Sequence, residues 1–125
     1  MLNMVNVKKG HGLANNRENG SFNCWGATLF GLGQIDKLYW VRQGSMENFL
    51  YKETIEIEEK DLKKGDILAL YNETEGLIHT ALYVGNDMWW HKVGGLHSEF
   101  TSKEKVIETY EHYEIDYTEL RRKIK

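Results

Sequence analysis

The stretch Gly65-Asp66-Ile67-Leu68-Ala69-Leu70-Tyr71, continued by Leu77-Ile78-His79-Thr80-Ala81-Leu82-Tyr83-Val84-Gly85-Asn86-Asp87-Met88-Trp89-Trp90-His91-Lys92-Val93, decides the fold. Apolar runs of strand length are separated by turn residues, first Asn72-Glu73-Thr74-Glu75-Gly76 and then Gly85-Asn86-Asp87, so the segment reads as a three-strand antiparallel meander. His79 interrupts the most apolar of the three strands, where an ionisable ring needs a partner or a cleft.

His91 follows His79 by twelve positions, on the next strand. A three-residue loop Gly85-Asn86-Asp87 sets Val84 opposite Met88 and His91 opposite Ala81. His79 and His91 are then diagonal neighbours on one face, about 7–8 Å apart. A two-residue loop would send them to opposite faces. Trp89 and Trp90 point to opposite faces of their strand, so one is expected in the core and the other in core or edge packing, with a cleft wall or partner surface as its alternative.

Upstream, Thr54-Ile55-Glu56-Ile57-Glu58 alternates like an edge strand, and Glu59 to Asp66 reads as a charged, solvated connection. Ser45 caps a short helix over Met46 to Tyr51, with Tyr39-Trp40-Val41 packed beneath it. Asn23 is an N-cap for a buried helix that opens at Cys24. The glycine- and asparagine-rich segment from Gly10 to Gly20 is expected to be a loop wrapping a cleft, with His11 solvated on it. Downstream, Thr101 opens a capping box with Glu104, and a helix follows over Ser102 to Tyr110. Tyr113-Glu114-Ile115-Asp116-Tyr117 alternates and closes the sheet, leaving a frayed basic tail over Arg121 to Lys125.

The chain of 125 residues is sized for one domain, read here as 1–125. Its 41% hydrophobic and 28% charged residues are ordinary for a globular chain, and the net charge of −3 gives no reason to expect nucleic acid. No apolar run approaches the ~20 residues of a membrane span. The N-terminus places its lysines after a short, asparagine-broken apolar stretch, the reverse of a secretory signal, so a cytoplasmic location as synthesised is expected. A monomer is expected as well.

One cysteine excludes an internal disulfide. Cys24 lies in the first turn of its helix, where amide groups and the macrodipole favour the thiolate and are expected to lower its pKa. A triad follows: Cys24 is the nucleophile, His79 takes its proton, and His91 orients the His79 ring. The Cys24 amide with the Asn23 side chain is the expected oxyanion site, and Asn23 and Trp25 are the expected substrate-binding residues. A zinc site on Cys24, His79 and His91 is the chemical alternative. It lacks a close ligand pair such as CxxC or HxxxH, so no metal or other cofactor is expected.

Asn23-Cys24-Trp25-Gly26, then Gly65-Asp66-Ile67-Leu68, then His79-Thr80-Ala81-Leu82-Tyr83-Val84-Gly85-Asn86, then His91, resembles the NlpC-type papain-like cysteine peptidases over about residues 22–95. The resemblance implies an α+β fold, with N-terminal helices packed on a small antiparallel sheet and a C-terminal helix. It also implies hydrolysis of a peptide or amide bond through an acyl-thioester, in many relatives in the peptide stem of bacterial peptidoglycan. Asn23 and Trp25 depart from the common Asp-Cys-Ser-Gly version, and no tyrosine precedes Cys24. His91-Lys92-Val93-Gly94-Gly95 resembles compact members from bacteria and phages. The same machinery would serve acyl transfer, and a catalytically silent module that binds a host or phage protein is the reading from a different class.

Overall fold

The computed structural model describes residues 2–16 and 19–124. Met1, Arg17, Glu18 and Lys125 lie outside them, so the N-terminal, loop and tail expectations are compared over the remainder.

Four helices and six strands follow in the order α1 (Met4–Ala14), α2 (Cys24–Gly31), α3 (Gln43–Glu53), β1 (Thr54–Ile57), β2 (Ile67–Asn72), β3 (Gly76–Gly85), β4 (Met88–Lys92), β5 (Ser98–Thr101), α4 (Lys103–Thr109) and β6 (Tyr117–Lys123). The strands form one antiparallel sheet ordered β1-β6-β2-β3-β4-β5, with the expected meander β2-β3-β4 at its centre and β1 at an edge. The fold is α+β, as expected.

Strand alternation sends one set of side chains to each face. On the first face, Ile67, Ala69, Leu82 and Trp90 pack against α1, α2 and α3 through Val7, Ala27, Leu29, Met46 and Leu50. On the second, Leu68, Leu70, Ala81, Trp89 and Leu120 pack against Val106 and Tyr110 at α4. Trp89 and Trp90 therefore do face opposite ways, and both are core residues.

The β3–β4 connection corrects the expected loop and preserves its consequence. Gly85 pairs with Met88, so the loop is the two residues Asn86 and Asp87, with φ of 54° and 58°. The register shifts between Tyr83 and Gly85, so Val84 is an extra residue. That bulge cancels the parity change of the shorter loop. Leu82 faces Trp90 and Tyr83 faces Trp89, the register that keeps the two histidines on one face.

The loop expected from Gly10 to Gly20 is largely helix: α1 runs to Ala14, capped by the Asn3 side chain, and a 3-10 turn covers Asn19–Ser21. Gly10 is a contact residue here, since a Cβ on it would lie 2.9 Å from the Trp90 ring. His11 is half-buried, with Nδ1 2.7 Å from Ser98 Oγ, and is not the solvated loop residue expected. α3 begins at Gln43, which leaves Ser45 inside the helix and not at its cap. Of Tyr39-Trp40-Val41 only Val41 is buried; Trp40 is 55% exposed.

The C-terminal half is also corrected. Thr101 belongs to β5, and Ser102 is the cap of α4, its hydroxyl accepting from the Lys105 amide. The closing strand is β6, not Tyr113–Tyr117, because Glu114 adopts φ 57° and breaks the alternation that the sequence suggests. Arg121, Arg122 and Lys123, expected to fray, are paired instead. Arg122 bonds the buried Asp66 carboxylate through Nε at 2.8 Å and Nη2 at 2.7 Å.

Candidate active site

Asn23 organises the entrance to α2. Its Oδ1 accepts from the Gly26 amide at 3.0 Å and the Val41 amide at 3.1 Å, while its Nδ2 donates to the Val41 carbonyl at 2.8 Å. The first bond is the helix cap that the sequence implies. The other two tie the 39–41 segment to the helix.

Cys24 follows at the first turn, at one end of the sheet. It lines a cleft of about 360 Å³ together with Trp25, Trp40, Leu77, Ile78, Gly94, Tyr110 and Tyr113, with Asn23, Gln43 and Glu75 completing the wall. The lowered thiol pKa expected from the helix N-terminus is overturned. Burial pushes the thiol up to about 12, outweighing the amides of Thr80, Trp25 and Cys24 itself and the charge of Lys92, all of which favour the thiolate. A helix dipole acts through partial charges, whereas a thiol that is only 6% exposed loses its own hydration.

His79 and His91 meet as the register requires. His79 Nε2 lies 2.7 Å from His91 Nδ1, and both rings are buried on the α4 face of the sheet. The Tyr110 ring stacks on His79 with centroids 3.8 Å apart, so one aromatic residue touches the imidazole and also lines the thiol's cleft. Thr80, next along β3, faces the other way and bonds Thr28 of α2 through its hydroxyl at 2.8 Å. The structure thus brings Cys24, Asn23 and Trp25 to one cleft, and the two histidines to each other at its margin. His79 Nδ1 has no hydrogen-bond partner among the described residues.

Burial holds both rings neutral at pH 7: it takes His79 well below the usual imidazole range, with help from His91, and His91 down to about 4. Two neutral rings sharing one short contact have one donor between them. Glu99 Oε1 lies 3.8 Å from His91 Nε2, beyond hydrogen-bond distance, and His91 Nε2, like His79 Nδ1, has no hydrogen-bond partner among the described residues. In the tautomer with the proton on His91 Nε2, nearer Glu99, His91 Nδ1 accepts from His79 Nε2–H and His79 Nδ1 is a lone pair. The expected result for Glu99→Gln is a weaker tautomer preference, read as movement of the His79 and His91 ring 15N shifts toward a mixed pattern. Unchanged shifts would remove Glu99 from this account.

Lys92, Glu99, Tyr110 and Trp40 escaped the sequence reading as site residues. Tyr110 was legible only as an apolar helix position, and Lys92 carries no local signal of burial. Among the described residues, no group of three His, Cys, Asp or Glu is arranged to hold a metal ion, and no helix is long and apolar enough to cross a membrane.

No protein-family profile matches the chain, and no curated protein matches it. Among solved structures it is similar to a protein from Staphylococcus aureus subsp. aureus Mu50 described as similar to a lipoprotein of the NLP/P60 family, with 18% identity and a TM-score of 0.58. The match covers 98% of this chain and 40% of that one, so the chain spans less than half the length of the structure it matches. The likeness establishes the NLP/P60 fold.

Proposed function

We propose that the chain is a cysteine-dependent hydrolase of peptide or amide bonds. The observation that carries this reading is a helix-capped Cys24 on an aromatic cleft whose wall residue Tyr110 stacks on the first ring of a neutral His79–His91 pair, with His79 Nδ1 and His91 Nε2 both without a hydrogen-bond partner among the described residues. The thiol and imidazole are uncharged at rest, which favours proton transfer during attack over a preformed ion pair. Cys24 Sγ bonds to the substrate carbonyl carbon as its proton passes to His79 Nδ1. The tetrahedral intermediate's oxyanion is stabilised by the Cys24 amide, one of the N–H groups at the start of α2. His79 then protonates the departing amine, the C–N bond breaks, and water hydrolyses the thioester with His79 again taking a proton.

The cleft supports an uncharged, apolar or aromatic acyl group, because Trp25, Trp40, Leu77, Ile78, Tyr110 and Tyr113 form most of its wall and, among the described residues, no lysine or arginine lines it. The indole Nε1 of Trp25 is buried without a hydrogen-bond partner among the described residues and is a donor for a substrate carbonyl. Bacterial cell-wall peptides are therefore tried beside amides and esters of aromatic N-acyl amino acids. The shielding of Cys24 also favours a second reading, transfer of the acyl group to an amine in place of water.

The test is intact-mass spectrometry of the chain after rapid quenching with such a panel. The expected result is an acyl adduct on wild type that hydroxylamine removes and that Cys24→Ala lacks. Added amines that capture the acyl group would select the transferase reading. No adduct from any member, with a binding effect that survives Cys24→Ser, would establish the silent binding module instead.

A further inference from the structure

Lys92 is the buried ionisable group that this mechanism does not use. It ends β4, is wholly buried on the α2 face of the sheet, and has no carboxylate within ion-pair distance among the described residues. A buried ammonium is costly unless something compensates it. Its Nζ donates to the Gly94 carbonyl at 2.8 Å and sits 4.7 Å from the centroid of the Phe22 ring. Phe22 is two residues before Cys24, and Gly94 lines the same cleft as Cys24. Both contacts thus hold the ammonium at the thiol's side of the sheet. One neutral carbonyl and one ring face leave the positive charge without an anion.

We propose that Lys92 is a positioning residue whose buried ammonium is the countercharge of the Cys24 thiolate. This rests on the thiol chemistry proposed above, and it supplies what that chemistry otherwise lacks. Lys92 from β4 acts on the thiol through its charge, Tyr110 from the end of α4 lines the same cleft, and His79 from β3 stacks on Tyr110. Burial keeps Tyr110 protonated and His79 uncharged, and the nearby His97 acts on His91 without reaching Cys24. Lys92 is lowered by burial to about 8, with Cys24 opposing the fall. Below about pH 8 the ammonium is therefore in place while the thiol still holds its proton. The charge then stands ready when the thiol proton leaves for His79, and it holds the sulfur anionic when the acyl group departs.

Iodoacetamide alkylation of Cys24 across pH, in wild type, Lys92→Met and Lys92→Arg, tests this without any substrate. A failed search for acyl donors therefore leaves the result interpretable, and a flat result here leaves the hydrolase reading standing. Lys92→Met is expected to slow alkylation at pH 8 by about ten-fold or more, with Lys92→Arg restoring it to within about three-fold. Superimposable profiles for wild type and Lys92→Met would overturn the proposal. Should both variants fail to fold, wild type suffices: the Lys92 13Cε titration is expected to move to lower pH once Cys24 is alkylated and can carry no charge. An unmoved Lys92 titration would equally overturn it.

Discussion

His79→Ala is expected to lower the rate of acyl-enzyme formation by about 10²–10⁴-fold, the usual contribution of a positioned general base. KM should move little, because the wall that holds the acyl group is formed by Trp25, Trp40, Leu77, Ile78, Tyr110 and Tyr113. The pH profile separates this role from a structural one. General-base catalysis needs the neutral ring, and burial holds the His79 pKa well below 6.5. Activity limited by His79 therefore persists below pH 6 in wild type, where an ordinary imidazole would already be protonated.

The same shift has a stability consequence with a definite sign. Folding keeps His79 and His91 unprotonated, while the unfolded chain takes up protons as pH falls through the ordinary value of about 6.5. Stability is thus lost on acidification from about pH 6.5 toward 4, the folded value of His91. In His79→Ala the loss of thermal midpoint between pH 7 and pH 5 should be smaller than in wild type. A variant with undiminished acylation, or an acid limb near 6.5, would remove His79 as the base.

Gly26→Ala is expected to be the most damaging single-methyl change in the fold. A Cβ at Gly26 would lie 2.1 Å from the Tyr39 carbonyl oxygen and 3.4 Å from Asn23 Oδ1. The first atom is backbone and has no rotamer to escape into, so α2 and the 39–41 segment must separate. That separation also breaks the two Asn23–Val41 bonds and moves Trp40 off the cleft wall. Overpacking of this kind costs about 3 kcal/mol, which is on the order of 10 °C in midpoint for a chain of this size. Differential scanning calorimetry decides it: a melt within 2 °C of wild type would mean the segment yields freely. Because the cleft wall moves with it, KM for aromatic acyl donors should rise even at temperatures where the variant is folded.

Both residues are legible in the sequence. Gly26 follows the cysteine at a fixed interval and His79 breaks an apolar strand, so each is conspicuous in the linear chain. What each touches is not. Tyr39 reaches Gly26 only because Asn23 anchors Val41, and Tyr110 covers His79 only because β5 and α4 return across the second face of the sheet. The N-terminal helix was missed for a related reason. Gly10 and Gly12 lower intrinsic helix propensity, but the close approach of α1 to Trp90 requires a residue without Cβ, and tertiary packing outweighs the local preference.

The amino-acid order alone determined the features set by neighbours a few residues apart. These are the Asn23 cap and the start of α2, and the alternation that makes the β2-β3-β4 meander. It did not determine the thiol's protonation state, the compensating bulge at Val84, or the burial of Lys92. Capping and alternation are decided within one or two turns of chain, so local sequence encodes them. Desolvation is summed over side chains delivered by α1, α2, β3, β4 and α4, and the charge states of Cys24, His79, His91 and Lys92 exist only once those elements have closed around them.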